Sequence, residues 1–281
     1  MINKKYLKNL RCKEINNKNN FIFDLYNERI IDSLEIITVD FRKILFLGEH
    51  GTKIFKYIKK RFKNSEITIY EFKDIKSSNV NLNKIKKIAF DLDNWSPEQS
   101  KYDLIISNFF INISENTENI FKKILFSLTP NGFFLATMPS PENFNLLKAA
   151  MIETDIELYG GAYNRFNKTI DLHDIIKFLK NNNFKIPLVN TEMINLEYKK
   201  FNNLLQDIRS MNLSYYYKDK KNTFEKKIYF KQLEKNFKKN SKNNLNLTSN
   251  FYLISGWKEH YSQQKPIKPG EAKINLKDYL G

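Results

Sequence analysis

Apolar positions repeat with two periods along this chain, and the alternation between them predicts its elements. FIFDLYNERIIDSLEII, residues 21–37, carries Phe23, Leu25, Ile30, Ile31, Leu34 and Ile37 at helical spacing. KILFLG follows as a short, fully apolar run and predicts a buried strand that stops at Gly48. TKIFKYIKKRF, 52–62, puts Ile54, Phe55, Ile58 and Phe62 on one face, as a helix covering a sheet does. Three further strands are expected: EITIYEF (66–72) ending in Glu71, KIKKIAFDLDN (84–94) ending near Asp91, and YDLIISNFF (102–110). TENIFKKILFSL (117–128) predicts a helix, stopped by Pro130 and Gly132 ahead of a fifth strand, GFFLATM (132–138). Beyond Met138 the rhythm loosens. Helices are expected over 142–156, 171–184 with Asp171 as cap, 200–211 and 223–239, with strands in IPLVNTEMINLEY and NFYLISGWKEH.

Strands apolar on both faces and separated by helices mark an α/β fold with a doubly wound, mostly parallel sheet. An amino-terminal helix and carboxyl-terminal helical and strand additions complete it. The expected division is a polar arm over 1–20, a core over 21–140, and the rest of the sheet with partner-facing additions and a basic tail over 141–281, packed with the core as one unit. In such a sheet the ligand crevice lies beyond the carboxyl ends of the strands. That selects Gly48, Glu71, Asp91 and the pair Ser107–Asn108.

A nucleoside cofactor needs a first turn that admits it close to the backbone, a carboxylate for the ribose hydroxyls and a polar group at the base edge. Gly48, Glu71 and Asp91 stand in those places, and Glu71 follows Gly48 at close to the expected separation of about 20 residues. Each also has a plainer reading: a tight turn at Gly48, a capping or solvated acid at Glu71, a turn residue at Asp91.

Composition changes the picture little. Of 281 residues, 41% are hydrophobic and 14% aromatic, enough for a sizeable core. The one cysteine excludes an intramolecular disulfide and a cysteine-cluster metal site. A formal net charge of +16 would attract nucleic acid, a membrane surface or an acidic protein. Lys and Asn are scattered along the whole chain, however, which reads as compositional bias. No run is apolar and long enough to span a bilayer, and the first twenty residues lack the apolar segment of a secretory signal, so a cytoplasmic location is expected. His50, His173 and His260 are the only histidines, and no metal-ligand spacing or nucleophilic triad is visible.

Over residues 1–140 the chain resembles the class I S-adenosylmethionine-dependent methyltransferases. ILFLGEHGT is similar to their glycine-rich first motif, KYDLIISN to the fourth-strand motif, and LTPNGFFLATM to the fifth. LLQDIRSMNLS, ELYGGAYNRF, FDLYNERI and above all GWKEHYSQQKPIKPGEAKINL resemble one subfamily, the methyltransferase-like assembly factors of respiratory complex I, among them a mitochondrial arginine hydroxylase and its alphaproteobacterial relatives. The resemblance implies a Rossmann-like methyltransferase fold and S-adenosyl-L-methionine held by Gly48, His50, Glu71, Asp91, Leu92 and Asn108. It also implies action on a protein arginine of an NADH dehydrogenase (complex I) subunit. The location implied is bacterial cytoplasm, peripheral to the inner membrane, or the mitochondrion in a eukaryote; no DNA partner is expected. The pattern breaks in places. Where the family reads Gly-x-Gly-x-Gly, this chain has Gly48, His50 and Thr52, and Phe46 and Leu47 stand where an acid is expected. Asn112 and Ile113 replace a His-Trp pair, and Asn212 replaces a glycine.

On the substrate side the candidate catalytic residues are Tyr163 and Arg165 of the Gly-Gly loop and Asp207, with Tyr198 and Arg209 nearby in sequence. Asp207 could orient a cationic substrate or fix its helix through an ion pair. Three functions stay open: an S-adenosylmethionine-dependent modifying enzyme, a non-catalytic assembly protein on the same fold, and an RNA-modifying enzyme.

Overall fold

The computed structural model describes residues 1–12, 21–48, 53–71, 85–211, 214–221 and 223–263. The helices are α1 (Lys4–Cys12), α2 (Phe21–Glu35), α3 (Lys53–Arg61), α4 (Thr117–Ser127), α5 (Asn145–Tyr159), α6 (Leu172–Asn181), α7 (Phe201–Ser210) and α8 (Lys227–Asn240). The strands are β1 (Lys43–Leu47), β2 (Glu66–Glu71), β3 (Ile85–Ala89), β4 (Tyr102–Asn108), β5 (Leu128–Pro139), β6 (Lys185–Glu197) and β7 (Asn246–Trp257). They form one seven-stranded sheet in the order β3-β2-β1-β4-β5-β7-β6. The first five strands pair in parallel, and β7 runs antiparallel between β5 and β6.

The period of two sorts the strand residues between two cores. Leu45, Leu47, Ile105, Phe134 and Ala136 face one side, where Ile120 and Ile124 of α4 and Ile175 and Leu179 of α6 cover them. Ile44, Phe46, Leu104, Ile106 and Leu135 face the other, under Ile30 and Leu34 of α2 and Ile54 and Ile58 of α3. Each such buried aliphatic side chain contributes about 1.5–3 kcal/mol relative to an exposed one. This is the doubly wound architecture the apolar runs predict. A third cluster lies beyond the strand ends, where α5, α7 and α8 pack on the start of α2 and on Leu247 and Phe251 of β7.

Several local expectations need correction. Residues 1–12 are not a polar arm. Ile2 and Leu7 are buried in the main core, and Ile2 bridges Tyr217 as a short strand pair. Pro130 and Gly132 lie inside β5, in an irregularity where pairing jumps from Tyr102–Leu128 to Leu104–Phe133. A proline is tolerated there because no ladder donor is required of it. Asp171 stands at the N-cap of α6 but its side chain makes no capping bond. The strand expected over 102–110 ends at Asn108, because Phe109 adopts a left-handed backbone, φ 51°.

The closing Gly-Trp motif packs at the end of the sheet opposite the crevice. A Cβ on Gly256 would fall 2.9 Å from Phe184 Cδ1, so only glycine lets that ring lie on β7. Trp257 packs on Phe133 at 4.4 Å between centroids, Lys258 donates to the Leu128 carbonyl at 2.5 Å, and Gln263 donates to the Lys258 carbonyl at 2.8 Å. Residues 264–281, with the rest of the motif, lie outside the described residues.

Candidate functional site

The carboxyl ends of β1, β2 and β4 and the turn after β3 gather Gly48, Glu71, Asn108, Asp91 and Leu92, as the sequence predicts. His50 and the rest of the glycine turn, 49–52, lie outside the described residues, as does Asn212. The gathered groups are engaged by the chain itself. Gly48 has φ 87° and its N–H donates to the Tyr70 carbonyl at 2.7 Å. A Cβ there would meet Phe110 Cδ2 at 2.6 Å, so the close approach that glycine permits is taken by the Phe110 ring. Phe110 is fully buried. Phe109 in its left-handed conformation turns the chain after β4 and stacks its ring on Tyr26 at 4.4 Å.

Asn108 is satisfied on both sides. Its Nδ2 donates to Asn27 Oδ1 at 2.9 Å, and Thr137 Oγ1 donates to its Oδ1 at 2.6 Å. Asp91 accepts from Lys4 Nζ at 2.9 Å and from Asn94 Nδ2 at 2.8 Å, and Lys4 also pairs with Asp93 at 3.1 Å. Burial works against the Lys4 charge, but the hydrogen bonds to the two aspartates outweigh it and raise its pKa. Leu92 is core, in one cluster with Trp95 and Phe110. Glu71 is 3% exposed at its strand end. The amino terminus closes over this region: Ile2 N–H donates to Glu115 Oε1 at 2.8 Å, Asn3 N–H to the Tyr216 carbonyl at 2.8 Å, and Tyr216 hydroxyl to the Asn112 carbonyl at 3.1 Å.

The acid that follows Tyr102 has a different task. Asp103 Oδ2 accepts the N–H groups of Arg42 and Lys43, both at 3.0 Å, and Oδ1 accepts Thr129 Oγ1 at 3.0 Å. It ties the entries of β1, β4 and β5 together, at the end of the sheet away from the crevice.

The substrate-side candidates separate. Tyr163 and Arg165 come together on a cavity of about 750 Å³, walled by α5, α7, α8 and the segments 163–166, 214–221 and 223–225, and Arg209 also reaches it. Asp207 does not line it. Burial pushes the Asp207 carboxyl up from its ordinary range, and the Tyr198 hydroxyl pulls it partly back. Arg165 is already committed. Its Nε donates to Asp155 Oδ2 at 2.7 Å, Nη2 reaches Asp155 Oδ1, and Nη2 donates to Glu225 Oε1 at 2.7 Å. Its guanidinium stands 4.5 Å from the Tyr229 ring centroid. Burial disfavours this charge, yet the bonds to Asp155 and Glu225 hold the pKa above its usual value. Arg165 therefore anchors the Gly-Gly loop to α5 and to the segment before α8. Tyr163 keeps an exposed ring on the cavity while its N–H donates to Asp155 Oδ2 at 3.1 Å.

Sequence reasoning missed Phe110, Lys4, Asp155 and Glu225. Lys4 carried a signal, since Leu7 and Leu10 mark α1 at i, i+3. Asp155 pairs with Arg165 from the preceding helix and Glu225 from 60 residues away, and neither carried a signal.

A family model described as a methyltransferase domain matches residues 48–188. The chain is 28% identical over 187 residues to the mitochondrial arginine-hydroxylase NDUFAF5 of Dictyostelium discoideum, a match covering 66% of this chain and 43% of that protein. With the human protein of the same name it is 21% identical over 265 residues, covering 92% of this chain and 76% of that one. Among solved structures, the YcgJ protein of Bacillus subtilis superposes with a TM-score of 0.54 at 9% identity, over 83% of this chain and 98% of that one. Among the described residues no helix is long and apolar enough to cross a membrane.

Proposed function

The chain belongs to the methyltransferase-domain family, and from that premise we propose that it serves respiratory complex I assembly as a docking protein rather than by methyl transfer. One observation carries this reading: Gly48, Asn108 and Asp91, three of the groups expected to receive S-adenosylmethionine, are engaged within the chain. The Phe110 ring covers Gly48, and Lys4 neutralises Asp91. As arranged, these residues do not fit the cofactor. Its approach to the Gly48 backbone meets a ring, and the turn after β3 offers it a carboxylate already paired. The complex I connection rests on the likeness to proteins named arginine-hydroxylase and on the closing Gly-Trp motif, and the partner is proposed to be an NADH dehydrogenase subunit.

Calorimetric titration of the full chain with S-adenosylmethionine and with S-adenosylhomocysteine tests the reading. The expected result is no heat of binding for either. A saturable one-site isotherm would overturn it.

A second reading has its own support. Glu71 stays at the β2 end in the ribose-acid place, and the strained backbone of Phe109 sits at the end of β4, where functional sites store strain. On that reading the chain binds S-adenosylmethionine and modifies a protein arginine, with Phe110 and α1 displaced. The same titration decides between the two.

A further inference from the structure

The cavity beside the Gly-Gly loop carries more positive charge than its acids answer. Arg165 is answered by Asp155 and Glu225, and Lys221 by Glu225 at 3.0 Å. Three more cations, Arg209, Lys218 and Lys220, line the same cavity and meet no carboxylate among the described residues. Their contacts are with neutral groups. The Arg209 guanidinium stands 5.4 Å from the Phe230 ring centroid, Lys218 Nζ meets Met1 Sδ at 2.8 Å, and Lys220 Nζ lies 3.9 Å from the Tyr6 ring centroid. The acid between the two lysines, Asp219, turns instead to the Tyr215 hydroxyl at 2.7 Å and Asn164 Nδ2 at 2.9 Å.

We infer that this cavity docks an acidic peptide segment of the partner, its carboxylates meeting Arg209, Lys218 and Lys220 and an apolar side chain entering among Tyr163, Tyr217 and Phe230. The inference rests on the docking reading above and gives it a ligand class. Charge complementarity selects the occupant. A guanidinium would enter against surplus like charge, whereas carboxylates would answer cations that the fold leaves unanswered. Aromatic walls and a volume within the range of about 300–1,000 Å³ that holds a compact ligand suit a short peptide with one bulky side chain. Phe224, wholly exposed at the rim, offers a further ring to such a segment.

The test uses the full chain and fluorescence anisotropy. One probe is a labelled nonapeptide of alternating Asp, Glu, Phe and Leu, and its control carries Lys at every acidic position. The acidic probe should bind about tenfold or more tightly than its control and weaken as salt rises. The triple variant Arg209→Glu, Lys218→Glu, Lys220→Glu should lose about tenfold or more of that affinity. The milder pair Lys218→Gln, Lys220→Gln, on exposed or half-exposed positions, guards against misfolding and should show a smaller loss in the same direction. No binding of the acidic probe, equal binding of both probes, or affinity unchanged in a folded variant would each overturn the inference. So would a single-stranded RNA that displaces the peptide and loses affinity in the same variants. The cofactor titration on the same samples is a separate readout. Cofactor binding sinks the docking reading, while absent peptide binding without cofactor binding sinks only the ligand class.

Discussion

The strand-end crevice and the cavity beside the Gly-Gly loop treat their polar groups in opposite ways. In the crevice the candidate groups turn inward to one another: Asn108 to Asn27 and Thr137, Asp91 to Lys4 and Asn94. In the cavity an inner layer is closed, Arg165 with Asp155 and Glu225, while an outer ring of cations meets no acid among the described residues. Buried polar groups must be paired or the fold loses the cost of desolvating them, so the buried network of Asn108 with Asn27 and Thr137 reads as structure. Half-exposed charges carry no such obligation, and their surplus is free for a ligand.

That contrast can be broken experimentally. Phe110→Ala should have the largest effect, a loss of about 3–5 kcal/mol in denaturant unfolding, because a fully buried ring leaves a cavity. A loss below about 1 kcal/mol would mean that the crevice is open rather than packed. Arg165→Ala should cost about 3 kcal/mol or more, since it strands Asp155, whose side chain is 0% exposed. An effect confined to ligand binding would move Arg165 from anchor to recognition. Gly48→Ala should cost about 1–3 kcal/mol through its positive φ and the contact with Phe110. In a Phe110→Ala background most of the contact part should vanish, a coupling of about 0.5 kcal/mol or more in the double-mutant cycle.

The acid limb sharpens the comparison further. Burial would raise the Glu225 carboxyl, but hydrogen bonds from Tyr159, Arg165 and Lys221 outweigh it and hold it below its ordinary value. Its stabilisation is therefore complete above the unfolded carboxylate pKa of about 4.3 and is lost as pH falls through the lower folded value. Asp207, held high, has the opposite sign: its ionisation costs stability, which returns as pH falls through its raised pKa. Unfolding measured from pH 3 to 7 should show Glu225→Gln flattening the acid decline and Asp207→Asn gaining at neutral pH. The reverse pattern would mean that these two carboxylates are not held as described. Smallest is Lys4→Ala. Its half-exposed pair should be worth about 0.2–1 kcal/mol and fade with salt. A larger loss would make α1 part of the core machinery of the crevice.

Legibility differed between the two sites for a physical reason. Gly48, Glu71, Asp91 and Asn108 are legible because each ends an apolar run, and parallel strands bring all such ends to one edge. Phe110 is not, because NFFI reads as more strand; only the left-handed turn at Phe109 swings the next ring back over a glycine far away in the chain. Arg165 could be singled out as a charge near a Gly-Gly hinge, but whether it was free depended on Asp155 and Glu225, which local sequence does not connect. The closing Gly-Trp motif carried the resemblance to one subfamily, yet it packs at the far end of the sheet, where Gly256 makes room for Phe184.

The amino-acid sequence by itself determined the period of each element, hence the α/β sheet, its mostly parallel pairing and the edge where its strand ends meet. Periodicity is local, and hydrophobic burial enforces it. Tertiary structure decided what several of those ends meet. That choice rests on contacts across the fold, Phe110 on Gly48 and Lys4 on Asp91, whose partners are set by packing rather than by spacing along the chain.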